Sequence, residues 1–263
     1  MEYLFDRWDQ VKRKLANKFI FLFFDYDGTL TPIARTPQQA VIAEKVKELL
    51  KALSGKPNLA LAIVSGRQLK DIKNIIGLKD IIYAGNHGLE IQGPKIKFES
   101  QVSPGLKSVI RKIYENMVSS FSRIKGVLIE DKGLSVSVHY RLMDAKDMPE
   151  FLSIFSEITK PFAAGNKIKI NEGKKVYEIK PMVAWDKGKT VLWLLARQQF
   201  LAEEDKVFPV YFGDDLADED VFGVLKNKGL TIFVGQPRAS KALYYVKSAT
   251  EVAQFMQQVL ELE

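Results

Sequence analysis

Short apolar runs that no charged residue interrupts alternate along this chain with stretches in which apolar residues recur every third or fourth position. Phe19 to Phe24, Leu59 to Val64, Ile81 to Tyr83, Val207 to Phe212 and Thr231 to Val234 are runs of the first kind. A strand wet on one face would alternate; these are continuous, which predicts strands covered on both faces, as in a parallel sheet between helix layers. Ile42, Val46, Leu49, Leu50 and Leu53 mark one face of a helix that Gly55 would stop. Gln68 to Ile76, Lys187 to Gln198, Asp218 to Leu225 and the closing "TEVAQFMQQVLEL" predict further helices. The pattern is α/β, with a doubly wound parallel sheet.

The middle of the chain follows another rhythm. From about Glu99 to Pro181, helices over Leu106 to Phe121 and Pro149 to Ile158 are interleaved with "LSVSVHYR" and "NKIKINEGKKVYEIKP", in which polar and apolar residues alternate. Alternation predicts an antiparallel sheet with one solvated face, hence a separate α+β unit inserted into the first domain. The expected division is a core of residues 1–98 and 182–263 and an inserted unit of residues 99–181.

Composition narrows this picture rather than changing it. The chain has 263 residues, 46% hydrophobic and 27% charged, enough for one large core or two smaller ones. No apolar run approaches the roughly 20 residues a bilayer span needs, and the opening "MEYLFDRWDQVKRK" mixes acids and bases where a leader would be oily. A cytoplasmic protein with no membrane partner, acting as a monomer, is expected. Without cysteine there is neither disulfide nor thiolate chemistry. The net charge of +7 comes from lysines scattered among acids, with no basic run interleaved with aromatics, so nucleic acid is not the expected partner. An anionic small molecule is. Residues 99–181 hold 14 Lys and Arg against 10 Asp and Glu, a net +4 that would draw such an anion in.

The chemistry gathers where strands end. In an open parallel sheet, ligands bind beyond the carboxyl ends of the strands. Asp25 and Asp27 follow the first run in "FIFLFFDYDGTLTP"; Ser65, Gly66 and Arg67 follow the second; Asp214 and Asp215 follow "VFPVYFG". Bringing these acids to one edge costs about 4 kcal/mol per close pair at moderate dielectric unless a cation is present. Carboxylate oxygens without histidine or cysteine nearby suit Mg²⁺. Residues two apart on an extended strand share a face, so Asp25 and Asp27 can address one reacting atom. One can attack phosphorus while the other protonates the leaving oxygen and later takes a proton from water. Gly28 permits a sharp turn that aims backbone N–H groups at phosphate oxygens. Ser65 offers a hydroxyl to the same oxygens, and Lys187 or Lys189 a compensating charge.

The segments "DYDGT", "VSGR", "WDKGK" and "GDDLADED", in this order, resemble the four motifs of haloacid dehalogenase (HAD) superfamily phosphatases and span the chain. With "GNHGLE", "IEDKGLSVSVHYR" and "NEGKKVYEIKP", they are similar in particular to the trehalose-6-phosphate phosphatase family. The resemblance implies a Rossmann-like HAD core with an inserted C2-type cap, Mg²⁺ as cofactor, and a stand-alone phosphatase passing through an aspartyl-phosphate. It makes Asp25 the nucleophile and Asp27 the general acid/base, its backbone carbonyl facing the metal. Ser65 and Gly66 would bind phosphate beside Lys187, the motif lysine. Asp214 would ligate the metal with Asp215 beside it, and Asp218 is a further candidate. Arg67, Asn86 and His87 at the mouth, and Glu130, Lys132, Arg141, Glu172 and Lys174 on a cap that closes over the disaccharide, would contact the substrate.

Plainer readings stand beside these. Ser65, Asp214 and Asp215 also suit helix N-caps; His87 suits a glycine-flanked turn, and "NEGK" an ordinary hairpin. Trp185 and Trp193 read as packing residues. Sucrose 6-phosphate or mannosyl-3-phosphoglycerate would serve the same core, and a sugar-phosphate sensor without turnover is the rival from another class.

Overall fold

The structure, a computed structural model, describes residues 1–202 and 207–262. By its own contacts the chain divides into two compact units, Met1–Glu99 with Trp185–Glu263, and Ser100–Ala184.

The first unit begins with β1 (Glu2–Tyr3), α1 (Trp8–Leu15), β2 (Phe19–Phe24), α2 (Glu44–Ser54), β3 (Leu59–Val64), α3 (Leu69–Ile76), β4 (Ile82–Gly85), β5 (Glu90–Gly93) and β6 (Ile96–Glu99). The second comprises α4 (Pro104–Phe121), β7 (Leu128–Asp131), β8 (Val136–His139), α5 (Met148–Ala164), β9 (Ile168–Gly173) and β10 (Val176–Pro181). The chain then completes the first unit with α6 (Lys187–Ala202), β11 (Val207–Gly213), α7 (Glu219–Leu225), β12 (Leu230–Val234), β13 (Tyr244–Val246) and α8 (Ala249–Leu260).

In the first unit the sheet order is β1-β13-β12-β11-β2-β3-β4-β5-β6. Burial explains the unbroken apolar runs. Ile20, Leu22 and Phe24 of β2 pack with Leu49, Leu50, Leu53, Ile72, Ile76 and Phe255 on one face, while Phe21 and Phe23 pack with Val191, Leu194, Phe222 and Leu225 on the other. A strand with oil on both sides has no polar position to alternate. Strand β2 lies between β11 and β3, parallel to both, so segments nearly 190 residues apart in sequence end side by side at the same edge. That adjacency places the site.

The sheet differs from the all-parallel expectation at one side, where β5 and β6 turn back antiparallel on β4. Their alternation, with Ile91 and Ile96 buried between polar neighbours, marks edge strands wet on one face. Helix α5 continues past Ile158 to Ala164 with Pro161 inside it, because proline removes one N–H while Phe151, Ile154 and Phe155 keep the helix on its sheet.

The second unit is a four-stranded antiparallel sheet, β7-β8-β10-β9, with α4 and α5 on one face. Ile110, Ile113, Met117, Phe121, Phe151 and Phe155 meet Val136, Val138, Tyr140, Ile168 and Ile179 there. The register Glu178 to Ser137 and Ile179 to Val136 sends every second side chain the other way. Among the described residues of the chain, no helix is long and apolar enough to cross a membrane.

Gly85 ends β4 where α3 begins: a Cβ there would stand 2.4 Å from the Leu69 nitrogen. Gly85→Ala must therefore displace the α3 N-terminus, and we expect it to lower unfolding free energy by about 1–3 kcal/mol, read from the urea midpoint at constant m-value.

Candidate active site

Asp25 is the first residue past β2, and its N–H donates to the Phe212 carbonyl of β11 at 2.9 Å, so the strand pair itself fixes its backbone. Behind it Gly28, at φ 90°, closes a tight loop in which the N–H groups of Leu30 and Thr31 donate to the Tyr26 carbonyl. A Cβ on Gly28 would lie 2.1 Å from Asp214 Oδ2. Only glycine lets the two carboxylate loops approach this closely.

Lys187, the first residue of α6 and 3% exposed, donates from Nζ to Asp25 Oδ1 and to Asp218 Oδ1, each at 2.8 Å. Asp218 is saturated. Its Oδ1 also accepts from the Tyr211 hydroxyl at 2.6 Å, and its Oδ2 from the backbone N–H groups of Asp214 and Asp215 at 2.9 and 3.1 Å. Carboxylate oxygens of Asp25, Asp214 and Asp218 all lie within 4.8 Å of one another, the arrangement that holds a cation. Both Asp218 oxygens already face donors, and through them Asp218 shapes the loop that presents Asp214. Asp215 is outside that trio and accepts at Oδ1 from the N–H groups of Ala217 and Asp218 at 2.9 and 3.3 Å, a local turn contact that leaves α7 without a side-chain cap.

Asp27 is placed elsewhere. Both of its oxygens are taken by Arg67, Nε to Oδ2 at 2.7 Å and Nη2 to Oδ1 at 2.6 Å, and the guanidinium also reaches the Pro37 carbonyl and lies over the Tyr26 ring. Arg67 is thus engaged by the loop after β2, and buried, rather than presented at an open mouth. Ser65 is 1% exposed and its Oγ accepts from the Arg67 N–H at 3.2 Å, with Gly66 as the bend between them. No side chain caps α3. Lys189 Nζ lies 3.9 Å from Asp186 Oδ2. The Asn86 and His87 N–H groups donate to the Arg67 and Ser65 carbonyls at 2.7 and 2.9 Å, so this buried loop braces the serine loop.

In the second unit, Glu130 and Lys132 come together on the helix-free side of the sheet with two residues that sequence reasoning missed, His139 and Glu178. His139 Nε2 is 3.0 Å from Glu130, and Lys132, 7% exposed, is 3.5 Å from Glu178. The signal for Glu178 was its place between Tyr177 and Ile179, both turned to the helices. Glu172 pairs with Tyr177 and is 3.4 Å from the Tyr140 hydroxyl, which puts it on the opposite face from Glu130. Arg141 donates to the Lys174 carbonyl across the end of the β9–β10 hairpin. Arg141 and Lys174 are apart from the polar cluster.

Comparison with known proteins decides the family. The trehalose-phosphatase family model matches residues 23–250. The chain is 34% identical to "Probable trehalose-phosphate phosphatase 4" of Oryza sativa subsp. japonica, covering 97% of this chain and 70% of that protein. The chain belongs to the trehalose-phosphatase family. Solved structures agree on the fold of this trehalose-phosphatase: a trehalose-6-phosphate phosphatase related protein superposes with a TM-score of 0.78 at 26% identity, covering 92% of this chain and 97% of that one. The C-terminal domain of the C. albicans trehalose-6-phosphate phosphatase gives 0.84 at 22% identity, with 97% of both chains covered. They place the trehalose-phosphatase on a HAD-like core.

The charges of this trehalose-phosphatase site do not cancel. Burial drives the Asp25 carboxyl well above the usual carboxylate range, Lys187 pulls it back, and Asp218 and Asp214 push it up again. Burial and Asp218 push Asp215 up to about 8. For Lys187 burial opposes the charge, yet Asp218 and Asp25 outweigh it and hold the ammonium above its ordinary value. Asp218 itself is held below the usual range, burial being overcome by Lys187 and the donors around it. One ammonium therefore serves several acids. Lys187→Met should leave Asp25 and Asp218 buried without it and cost about 3–5 kcal/mol at pH 7.5, measured by urea unfolding in chelator; the loss should shrink at pH 5, where protons can take the lysine's place.

Proposed function

We propose that this chain hydrolyses trehalose 6-phosphate to trehalose and inorganic phosphate through an aspartyl-phosphate on Asp25, with Mg²⁺ as cofactor. The observation that supports the reading is a buried Lys187 that bridges Asp25 and Asp218, with Asp214 within 4.8 Å of both, at the carboxyl edge of a parallel sheet. The same family membership favours the trehalose ester over the sucrose and glucose esters.

The Asp25 oxygen that attacks phosphorus forms the Asp25–phosphate bond as the bond to the sugar oxygen breaks. Asp27 gives its proton to that oxygen, then removes one from the water that attacks phosphorus and frees phosphate. Arg67 holds both Asp27 oxygens, so it must yield one for Asp27 to carry a proton. Ser65 and Gly66 bind phosphoryl oxygens, and Lys187 offsets the negative charge that builds on them. Asp25 and Asp214 would hold Mg²⁺, with Asp215 and the Asp27 carbonyl as further donors, and the ion would supply charge neutralisation at the phosphoryl group. Oxygen donors alone fit this hard cation. Glu130, Lys132, His139 and Glu178 offer the sugar hydroxyls both donors and acceptors on one polar sheet face.

Phosphate release from trehalose 6-phosphate, with sucrose 6-phosphate and glucose 6-phosphate alongside, tests the reading. Selective, Mg²⁺-dependent release from the first is the expected result; equal release from all three leaves a phosphatase with a different preference. Asp25→Asn should lower kcat by about three orders of magnitude or more with an unchanged circular dichroism spectrum.

The acid cluster also predicts how stability depends on pH. A carboxyl such as Asp215, raised in the fold from 3.8 to about 8, leaves stability intact below its unfolded value and erodes it as pH rises through the folded one. A cation that replaces the missing protons returns more where they are absent. Calorimetric scans should show Mg²⁺ raising Tm more at pH 8 than at pH 5.5; the same gain at both would remove the ion from this cluster.

A further inference from the structure

Asn86, His87 and Gly88 have φ of 49°, 58° and 94°, three successive residues in the left-handed region. Side-chain-bearing residues stay there only when their surroundings hold them. Two of the restraints are the bonds to the Ser65 and Arg67 carbonyls, on either side of Gly66. Asn86 Nδ2 adds a third, donating to Glu90 at 2.6 Å.

The opposite side of the same loop rests on the start of α6. The Trp185 indole N–H donates to the Gly88 carbonyl at 2.8 Å. A Cβ on Gly88 would fall 1.8 Å from Thr190 Oγ1, so backbone and helix touch. Trp185 and Thr190 stand two residues before and three after Lys187. The loop therefore grips the serine loop around Gly66 and the helix around Lys187. The loop thus links the backbone beside Ser65 to the helix turn that carries Lys187.

We propose that Trp185 is a positioning residue: through its indole bond to Gly88 it holds Lys187 and Ser65 in register on one phosphoryl group. The inference rests on the phosphatase reading above. The ring contact does not by itself require the bond: the Trp185 ring lies tilted against Phe98 at 5.1 Å, as the Trp193 ring does at 5.2 Å. That contact needs no N–H pointed at a carbonyl.

Trp185→Phe keeps an aromatic ring for Phe98 and removes the donor. On trehalose 6-phosphate its kcat should fall about tenfold while KM moves less than about twofold, the split expected when geometry at the reacting atom is lost and ground-state binding is not. Calorimetric binding of tungstate, which can take the five-coordinate geometry of the phosphoryl group in transfer, should weaken by about the same factor as kcat. Trp193→Leu, which strips the other ring from Phe98 and makes no bond to the loop, should lower Tm and leave kcat and tungstate affinity in place. Wild-type kcat and tungstate affinity in Trp185→Phe would overturn the proposal, as would losses that Trp193→Leu reproduces. If the unsubstituted protein releases phosphate from neither this ester nor p-nitrophenyl phosphate, the functional reading fails, and the tungstate comparison still decides the role of Trp185.

Discussion

A buried ammonium shared between two carboxylates, with a third within reach, is the constraint around which the first unit is arranged. Isolated, any one of these charges would be too costly to bury. The 2.8 Å bonds from Lys187 to Asp25 and Asp218 make the burial tolerable, and they require three parts of the chain to meet: the end of β2, the start of α6 and the loop after β11. The parallel pairing of β2 with β11 satisfies two of those requirements at once. The helix packed beneath them supplies the third, with Val191 and Leu194 fixing α6 on Phe21 and Phe23. Core packing and site charge are thus one problem with one solution.

Within that arrangement the acids are unequal because their partners are. Asp218 meets four donors and is held ionised, Asp27 is clasped by a guanidinium, and Asp215 accepts from its own loop. Asp25 receives one ammonium hydrogen bond, and Gly28 keeps the space beside Asp214 clear. Aspartates that look alike along the chain are in this way set apart by their hydrogen-bond partners.

Much of this was legible in the sequence. The runs Phe19–Phe24 and Leu59–Val64 coincide with β2 and β3, because residues buried on both faces leave no ambiguity of period. Asp25, Ser65 and Asp214 stand out because polar residues that follow such runs need a reason to be there. What could not be read is what depends on approach between distant segments. The spacing of Asp25 and Asp27 on an extended strand predicts a shared face, but β2 stops at Phe24 and the chain turns, so Arg67 captures Asp27. Glu172 and Glu130 look alike along the chain; only strand register separates them, since a shift of one residue exchanges faces. Nothing local marks the bonds of Glu178 and Asp218 to lysines 46 and 31 residues away.

The second unit meets the opposite requirement with the same means. Its sheet buries Val136, Val138 and Ile179 under helices, yet Ser135 and Ser137, on the face without helices, are also nearly inaccessible. Small hydroxyl side chains there lie low between the long side chains of Lys132, Glu178 and Lys180, whose heads pair with one another at 3.1 to 3.5 Å. Charges this little exposed lose much of their hydration, and their pairing serves mainly to offset that cost, so this face is poor as a core. Ion pairs there stand where apolar packing stands on the other face, so one sheet carries a core on its helix side and a fixed polar array on its other side.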